Sequence, residues 1–330
     1  MMKRREFITA LGGAAAAWPL TAWAQQSDRM RRIGVLVGLA ESDPEQKLRI
    51  AAFLDGLRDL GWSDGRNLRI TYRFGASDPG RRRAYAAELV ALMPDVILAN
   101  STPVLPAIRE ATQTIPIVFT LVADPLSIGL VESLSHPGGN ITGFATTEDP
   151  TSGKLLQILK EVDGSISRAL TIWDRSDPFH ARRLLAIEEA AAAFKVQVTK
   201  ADVQSATQIE HAIDSFGREP NGGVIVLPSG STAAHRDLII LMMVRHRLPA
   251  IYAYRYFAAS GGLLSYGIDT IDLHRRAASY VDRILRGEKP GNLPVQQPTK
   301  FELVLNLKAA RAIGVQFPAT LMANANEVIE

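Results

Sequence analysis

The sequence has no cysteine and none of the common catalytic motifs. The absence of cysteine from all 330 residues excludes disulfides, thiolate nucleophiles, and zinc or iron–sulfur sites built on thiolates. No G-x-S-x-G, H-E-x-x-H or G-x-G-x-x-G pattern occurs, and the six histidines include no pair at metal-ligand spacing. We therefore predict a protein that is not an enzyme, with no catalytic residue, no bound metal and no cofactor.

A strong excess of one charge is also missing. The chain has 37 basic and 34 acidic residues, a formal net charge of +3. Without the first 24 residues, 34 basic and 33 acidic residues remain, for a net charge of +1. Domains that bind nucleic acid are usually strongly basic on one face. The balance therefore predicts no nucleic-acid partner.

The one extended apolar run at the N-terminus, residues 7–18, is shorter than the roughly 20 residues that span a bilayer. A basic start precedes it and Ala22-Trp23-Ala24 follows, which is the order of a secretory signal. Arg4 and Arg5 are typical of a twin-arginine signal, although a general secretory signal could also begin with two arginines. We predict that residues 1–24 are removed on export and that the mature protein is periplasmic and does not span the membrane.

Beyond residue 30, short β-branched runs alternate with amphipathic helical stretches. This alternation predicts an α/β fold with parallel sheets flanked by helices. Strands are predicted at residues 33–37, 68–74, 96–99, 117–121, 141–144, 169–173, 197–201, 223–227, 250–254, 263–266 and 301–306.

The strand pattern pauses at the polar segment 145–151 and then restarts, which indicates two lobes. The late elements suggest that the chain returns to the first lobe before it ends. We predict a first lobe of residues 30–146 plus 270–297 and a second lobe of residues 147–269 plus 298–330. Several crossings between them would form a hinge, with a ligand cleft between the lobes.

Polar clusters follow four of the predicted strands, where open α/β sheets bind ligands. The candidate ligand-binding residues in these clusters are Ser101, Thr102, Asp124, Asp174 and Ser229. Any one of them could simply cap a helix. Their recurrence predicts a site in which Ser101 and Thr102 bind a carboxylate, and Asp124 or Asp269 pairs with an amino group if the ligand has one.

Aromatic residues provide a second group of candidates. Trp173 ends a predicted strand, and Tyr252 and Tyr254 share one face if the chain is extended there. Such rings could stack on a flat ligand, or they could pack the strand against a helix. Tyr266 precedes a turn in which Asp269 could bind an amino group or cap the next helix.

Five segments carry a more detailed pattern. They are residues 114–119 (TIPIVF), Asp124-Pro125, residues 136–143 (HPGGNITG), residues 258–269, and the stretch from residue 298 (PTKFEL) to Asn306. In order and spacing they resemble the ABC-transporter substrate-binding family, over essentially the whole mature chain.

This resemblance implies a type I periplasmic-binding-protein fold, with two Rossmann-like lobes, three crossovers and a small-molecule ligand enclosed between them. It implies ABC-transporter permease subunits as partners and a monomeric protein. Ser101, Thr102, Asp124 and residues 266–269 match cleft-lining positions of the family. Ser101-Thr102-Pro103-Val104 departs from the Gly-Thr-Pro-Ala run that members often carry. The export signal lacks the cysteine of lipoprotein members, which implies a freely diffusing protein.

The ligand expected from these features is an amino acid or an aromatic or carboxylated metabolite. Three other functions fit parts of the sequence. A periplasmic sensor would share the cleft, and an exported enzyme would more often carry a cofactor motif. A cytoplasmic regulator would need a DNA-binding segment where this chain has an export signal.

Overall fold

The computed structural model describes residues 29–75, 78–146, 149–177 and 179–330. The predicted export signal, residues 1–24, lies outside the described residues. No helix in these ranges combines the length and the apolar character that crossing a membrane requires.

The first lobe is built on a five-stranded parallel sheet with the order β2-β1-β3-β4-β5. Its strands are β1 (Arg31–Val37), β2 (Leu68–Arg73), β3 (Val96–Asn100), β4 (Ile117–Ala123) and β5 (Ile141–Thr146). The helices of this lobe are α1 (Pro44–Asp59), α2 (Pro79–Ala91), α3 (Leu105–Ala111) and, from much later in the chain, α10 (Thr270–Leu285).

The second lobe is built on a seven-stranded sheet with the order β12-β11-β10-β9-β8-β6-β7. Its strands are β6 (Arg168–Trp173), β7 (Gln197–Asp202), β8 (Gly222–Val226), β9 (Ala250–Tyr252), β10 (Leu264–Ile268), β11 (Phe301–Asn306) and β12 (Glu327–Ile329). Its helices are α4 (Asp149–Val162), α5 (His180–Phe194), α6 (Ala206–Phe216), α7 (Gly230–Ala234), α8 (Arg236–His246), α9 (Arg255–Ala259), α11 (Leu307–Ile313) and α12 (Ala319–Asn324).

The central strands of both sheets are buried on their two faces, as expected for parallel strands covered by helices. In β1, Ile33 and Val35 belong to one hydrophobic cluster and Leu36 to another. In β8, Ile225 and Val224 are divided between two clusters in the same way. The continuous apolar strands seen in the sequence therefore supply two cores in each lobe.

The chain passes between the two sheets three times, after β5, after β10 and before β11. The last crossing is attached to the first sheet, because Gln296 N–H donates to the Gly143 carbonyl and Ala145 N–H donates to that of Gln296, both at 2.9 Å. Helix α10 packs against α1 at Gly56, where a Cβ atom would lie only 2.6 Å from the Arg275 carbonyl oxygen. Glycine is therefore required for this close approach of the two helices.

The predicted α/β fold of two helix-covered lobes with three crossings is confirmed, and three details differ from the sequence expectations. Strand β11 is antiparallel to β10, whereas the second sheet was expected to be parallel throughout. Strand β9 ends at Tyr252, because α9 begins only three residues later. Elements α7, α9, α12 and β12 were not predicted, and each is six residues long or shorter.

Candidate ligand-binding cleft

The carboxyl ends of the two sheets face each other. Asp124, which directly follows β4, accepts a hydrogen bond from Arg182 Nη1 in the first turn of α5 at 2.7 Å. A second ion pair joins the lobes between Asp43, the N-cap of α1, and Arg236 at the start of α8, with 3.5 Å between Oδ2 and Nη1. The polar ends of strands from both lobes therefore meet at one cleft, where the sequence predicted a binding site.

A buried tyrosine ring adds a third contact between the lobes. Tyr256 of α9 lies between Arg49 of the first lobe and Arg236 of the second, whose guanidinium carbons are 5.9 and 5.3 Å from the ring centroid. Cations at these distances are attracted to the face of an aromatic ring. Arg49 is also paired with Glu45, with 3.0 Å between Nε and Oε1.

A pocket that is open to solvent lies beside the hinge, and its empty space of about 350 Å³ includes part of that solvent. The walls combine apolar side chains, four hydroxyl groups and one guanidinium group, contributed by helices α4 and α5, by the ends of second-lobe strands and by the crossing segments. The lining residues are Thr151, Ser152, Leu155, Arg183, Leu227, Pro228, Ala253, Tyr254, Tyr266, Gly267, Ile268 and Phe301.

Arg183 is the distinctive residue of this cavity. It is only 3% exposed, and arginine is almost never so deeply buried unless it interacts with another group. Burial lowers the pKa of the Arg183 guanidinium to about 10, while the neighbouring Tyr254 acts in the opposite direction. The group therefore stays positively charged at neutral pH. Its planar array of N–H donors matches the geometry of a carboxylate.

The start of α4 lies in the same cavity wall. Thr151 and Ser152 lie in the first turn of this 14-residue helix and line the cavity. The first turn of a helix carries backbone N–H groups that have no partner within the helix, together with the positive end of the helix dipole. This end of the cavity therefore favours a negatively charged group, in agreement with Arg183.

Two of the predicted tyrosines line the cavity. The Tyr266 ring stacks on Phe301 with 6.2 Å between centroids and 22° between planes, and both rings line the cavity. Tyr254 lies beside them, and burial raises the pKa of its phenol to about 12. Tyr254 therefore stays neutral and presents both a hydroxyl group and an aromatic ring.

Tyr252 lies in the core of the second lobe, not along this cavity. Its side chain is fully buried and stacks on Phe257 with 4.5 Å between ring centroids. Burial raises the pKa of its phenol, and its hydroxyl has no hydrogen-bond partner among the described residues. Because β9 ends at Tyr252, the expected common face with Tyr254 does not form, and packing is the observed role of Tyr252.

Trp173 ends β6, as predicted, and is half-buried. Its ring packs against the hydrophobic cluster that contains Leu184 and Ile187 of α5. The structure therefore places Trp173 behind the helix that carries Arg183, outside the lining of the cavity.

The three first-lobe candidates occupy the opposite face of the cleft. Ser101 follows β3 directly, and Asp124 follows β4. Thr102 does not cap a helix that begins at Pro103. A 3-10 turn covers Thr102–Val104, α3 begins at Leu105, and the Thr102 hydroxyl accepts a hydrogen bond from Ala123 N–H at 3.1 Å. Thr102 therefore connects the ends of β3 and β4.

The pKa of the Asp124 carboxyl is lowered. Burial alone would raise it, but hydrogen bonds from Ser127 and the ion pair with Arg182 outweigh that contribution. The Asp124 carboxylate is thus already paired with Arg182 of the second lobe.

Asp174 and Ser229 have local hydrogen bonds of the kind expected for turns and caps. Asp174 Oδ1 accepts two hydrogen bonds from Ser176, one from the backbone N–H at 2.9 Å and one from the side-chain hydroxyl at 2.6 Å. Ser229 forms a reciprocal capping box with Thr232 at the start of α7. Pro228, next to Ser229, is the nearest residue of this segment that lines the cavity.

Asp269 is the N-cap of α10, which was one of the two roles considered for it. Its Oδ1 accepts from the N–H groups of Ile271 and Asp272, and its Oδ2 is 2.5 Å from Lys300 Nζ. Burial would raise the pKa of Asp269, but these N–H groups and Lys300 lower it overall. The residue lies between the second and third crossings of the hinge.

Arg183 was missed from the sequence, although a signal for it was present. The buried positions of α5 are His180, Arg183, Leu184, Ile187 and Ala191, which repeat at helical spacing. An arginine within such an apolar stripe must be buried or lie at the edge of a cavity. Arg183 lies on the surface of a helix, whereas the sequence pattern predicted binding groups at the ends of strands.

Two helix-covered lobes joined by three crossings are the architecture of the type I periplasmic-binding class. Residues 32–329 match the family model described as ABC transporter substrate binding protein. The chain therefore belongs to this family, as its sequence resemblance indicated. It is the solute-binding component of an ABC transporter, and the family consists of substrate-binding proteins, not enzymes.

Three similar proteins illustrate the relationship. The chain is 26% identical over 293 residues to a tyrosine-binding protein of Clostridioides difficile, covering 88% of this chain and 83% of that protein. A conserved domain protein of Vibrio cholerae has a crystal structure with a TM-score of 0.83 and 25% identity, covering 91% of this chain and 100% of that one. A Streptococcus pneumoniae ABC domain in complex with L-Trp has a TM-score of 0.82 and 23% identity, with coverages of 91% and 99%.

A fourth structure is described as ligand-free and open. It is the substrate-binding protein CD0873 of Clostridium difficile, with a TM-score of 0.68 and 24% identity, and coverages of 91% and 99%. All of these structures share the two-lobed fold of this chain.

Proposed function

We propose that this protein captures a small carboxylate-bearing solute with a flat apolar group, in the first place an aromatic amino acid, in the cavity lined by Arg183. The observation that carries the proposal is a buried guanidinium group at the wall of a cavity that is otherwise lined by apolar side chains, aromatic rings and hydroxyl groups. A carboxylate enclosed there would form charge-assisted hydrogen bonds that strengthen as water is excluded. The start of α4 would support the same charge.

The aromatic residues of the cavity wall favour a ligand with an aromatic group. The rings of Tyr254, Tyr266 and Phe301 provide flat apolar surface, and Leu155 and Ile268 complete it. Aromatic rings pack well in offset or tilted arrangements against such surfaces. Similarity to proteins named for tyrosine and L-Trp supports this ligand class.

The arrangement of the lobes is consistent with a state that encloses ligand. The TM-score is 0.82 with the L-Trp complex and 0.68 with the ligand-free, open structure, at 23% and 24% identity. Because the identities are nearly equal, the difference between the scores favours a closed arrangement of this chain. The contacts of Asp124 with Arg182 and of Asp43 with Arg236 support closure. The ligand would select this form, which the transporter's permease subunits then recognise.

Within this proposal, residues 1–24 direct export, by the twin-arginine route, and the mature protein works as a freely diffusing monomer in the periplasm. We keep the proposed lobe boundaries, residues 30–146 plus 270–297 and residues 147–269 plus 298–330. Ser101, Thr102 and Asp124 contact the ligand or the opposite lobe from the first-lobe face. Binding requires no cofactor, and the protein has no catalytic activity of its own.

Calorimetric titration of the mature chain tests the ligand class. L-tryptophan and L-tyrosine are compared with tryptamine and tyramine, which keep the ring and the amino group but lack the carboxylate. We expect heat of binding from one or both amino acids and none from either amine. Binding of an amine as tight as that of its parent amino acid would overturn the role given to Arg183.

A further inference from the structure

His180, the first residue of α5, is completely buried but does not belong to the lining of the cavity. Its imidazole lies between the ends of β6 and β8, which are neighbouring strands of the second sheet. Both nitrogens of a buried imidazole need hydrogen-bond partners, because an unpaired donor or acceptor away from water costs free energy. The partners of His180 therefore show what its ring holds together.

The hydrogen bonds of His180 connect three segments of the second lobe. Asp174 N–H, directly after β6, donates to His180 Nδ1 at 2.9 Å, and the Asp174 carbonyl oxygen lies 3.0 Å from the same nitrogen. His180 Nε2 lies 3.2 Å from the carbonyl oxygen of Pro228, just beyond β8. The Asp177 carboxylate is more distant, with 3.7 Å between its Oδ2 and Nε2. The imidazole thus joins the start of α5 to the ends of β6 and β8.

One protonation state of the ring satisfies both nitrogens. If Nδ1 carried a proton, it could not accept the hydrogen bond from Asp174 N–H. If Nε2 lacked a proton, its lone pair would face the Pro228 carbonyl oxygen, which is itself an acceptor. The two neighbours therefore assign a neutral imidazole with its proton on Nε2, so that Nδ1 accepts from Asp174 and Nε2 donates to Pro228.

The segments joined by His180 form part of the cavity wall. Arg183 lies three residues after His180, so both belong to the same buried face of α5. Pro228 lines the cavity together with Arg183. Because the imidazole ties the first turn of α5 to the end of β8, it sets the position from which the Arg183 side chain reaches the cavity.

We infer that His180 is a positioning residue for ligand binding, whose hydrogen bonds to Asp174 and Pro228 hold the first turn of α5 so that the Arg183 guanidinium meets the carboxylate of the solute. The inference rests on the proposed function, because Arg183 is the group that His180 positions. A guanidinium needs such support, since its planar array of donors binds a carboxylate well only in a defined orientation. His180 itself makes no contact with the solute.

Substitutions of His180 should change the affinity for the solute. His180→Ala removes both hydrogen bonds and should weaken binding of L-tryptophan or L-tyrosine by about 2- to 12-fold, the size of one neutral hydrogen bond. His180→Gln keeps an amide that can donate to Pro228, so it should recover part of the affinity. His246→Ala is the matched control, because His246 at the end of α8 is paired with Asp214 at 2.7 Å. The control should lower stability and leave affinity unchanged.

The Arg183→Lys background separates positioning from a general loss of stability. A lysine ammonium is a compact charge on a flexible side chain, so it depends less on the orientation of the helix that carries it. The effect of His180→Ala on affinity should therefore be much smaller in this background than in the wild type, whereas a structural role alone would weaken binding equally in both. His180→Gln replaces His180→Ala in the same comparison if the alanine variant does not fold.

A long-range proton–nitrogen NMR spectrum of the histidine rings tests the assigned protonation state in the unchanged protein. The ring signals that are absent from His180→Gln should be those of a neutral imidazole with its proton on Nε2. A protonated ring, or a proton on Nδ1, would overturn the inference.

Wild-type affinity in both His180 variants, or equal losses of affinity in the wild-type and Arg183→Lys backgrounds, would also overturn it. Failure of the proposed function would be seen separately, as a wild-type protein that binds neither amino acid or an Arg183→Ala variant that keeps full affinity. The inference would then fall with the proposed function.

Discussion

Asp124 of the first lobe and Arg182 of the second form an ion pair at 2.7 Å across the mouth of the cleft, although 58 positions separate them in the sequence. Both side chains are partly exposed, so water and salt screen their attraction. The pair is therefore suited to favour closure without making it permanent. The lobes must still open to release the solute.

Asp124→Asn and Arg182→Gln should each shift the unliganded protein toward the open form. Exposed pairs typically contribute 1 kcal/mol or less, so the open-to-closed ratio should rise by no more than about fivefold. Small-angle X-ray scattering should show a larger radius of gyration in both variants than in the wild type. An unchanged radius in both would contradict a role of this pair in closure.

The same pair predicts a dependence on acidity. The lowered pKa of Asp124 means that its contribution is fully present above the ordinary aspartate range and is lost as the pH falls through the lowered value. The scattering difference between wild type and Asp124→Asn should therefore disappear under strongly acidic conditions at which both proteins remain folded. A difference that persists after Asp124 is protonated would count against this account.

Tyr252 and Tyr266 were both predicted to bind ligand, but substitutions of the two residues should affect ligand affinity differently. Tyr252→Phe removes a hydroxyl that is buried without a partner among the described residues, so we expect unchanged affinity and equal or higher stability. Tyr266→Ala removes a ring from the cavity wall and should weaken binding of an aromatic solute by about tenfold. Titration and thermal unfolding of the two variants make the comparison. A Tyr252→Phe variant that loses affinity would place this residue in the binding site after all.

Glu302 in β11 should make stability depend on pH near neutrality. Burial, followed by the negative charge of Asp269, raises the pKa of its carboxyl to about 7. A raised carboxyl pKa favours folding below the unfolded-state value, and this contribution is lost as the pH rises through 7. The unfolding midpoint of Glu302→Gln, measured relative to that of the wild type, should rise as the pH increases from 4.5 to 7. Above pH 7 this difference should stay constant.

Thermal unfolding at pH 4.5, 6, 7 and 8.5 measures this difference. The exposed Glu210→Gln of α6 serves as the control and should remain parallel to the wild type. A constant offset of Glu302→Gln at all four pH values would show that Glu302 does not titrate in this range.

The fold could be predicted because its main signals are local. Continuous apolar runs such as β1 and β8 must be buried on both faces, and amphipathic stretches such as α1 must cover them. Strand direction is not encoded in such patterns, and the antiparallel β11 was missed for that reason. The three residues of β12 are too few to show any period, so this strand depends on its pairing with β11.

The binding site was less accessible from the sequence, because it depends on which groups the fold brings together. Tyr254 and Tyr266 line the cavity, yet Tyr252, of the same residue type and only two positions from Tyr254, is buried in the core. The end of β9 decides that outcome, and the sequence continues to alternate past it. Arg183 belongs to the apolar stripe of α5, so only the packing of that helix shows that it reaches a cavity.

The central claim is that the Arg183 guanidinium binds the carboxylate of the solute, and calorimetry on Arg183 variants tests it most directly. Arg183→Ala and Arg183→Lys are compared with the exposed Arg245→Ala of α8, each checked for folding by circular dichroism. Loss of a hydrogen bond to a charged group corresponds to about 10- to 150-fold in affinity. We predict a loss in this range for L-tryptophan or L-tyrosine with Arg183→Ala, a smaller loss with Arg183→Lys, and wild-type affinity with Arg245→Ala. A folded Arg183→Ala protein that binds the same amino acid as tightly as the wild type would contradict the account.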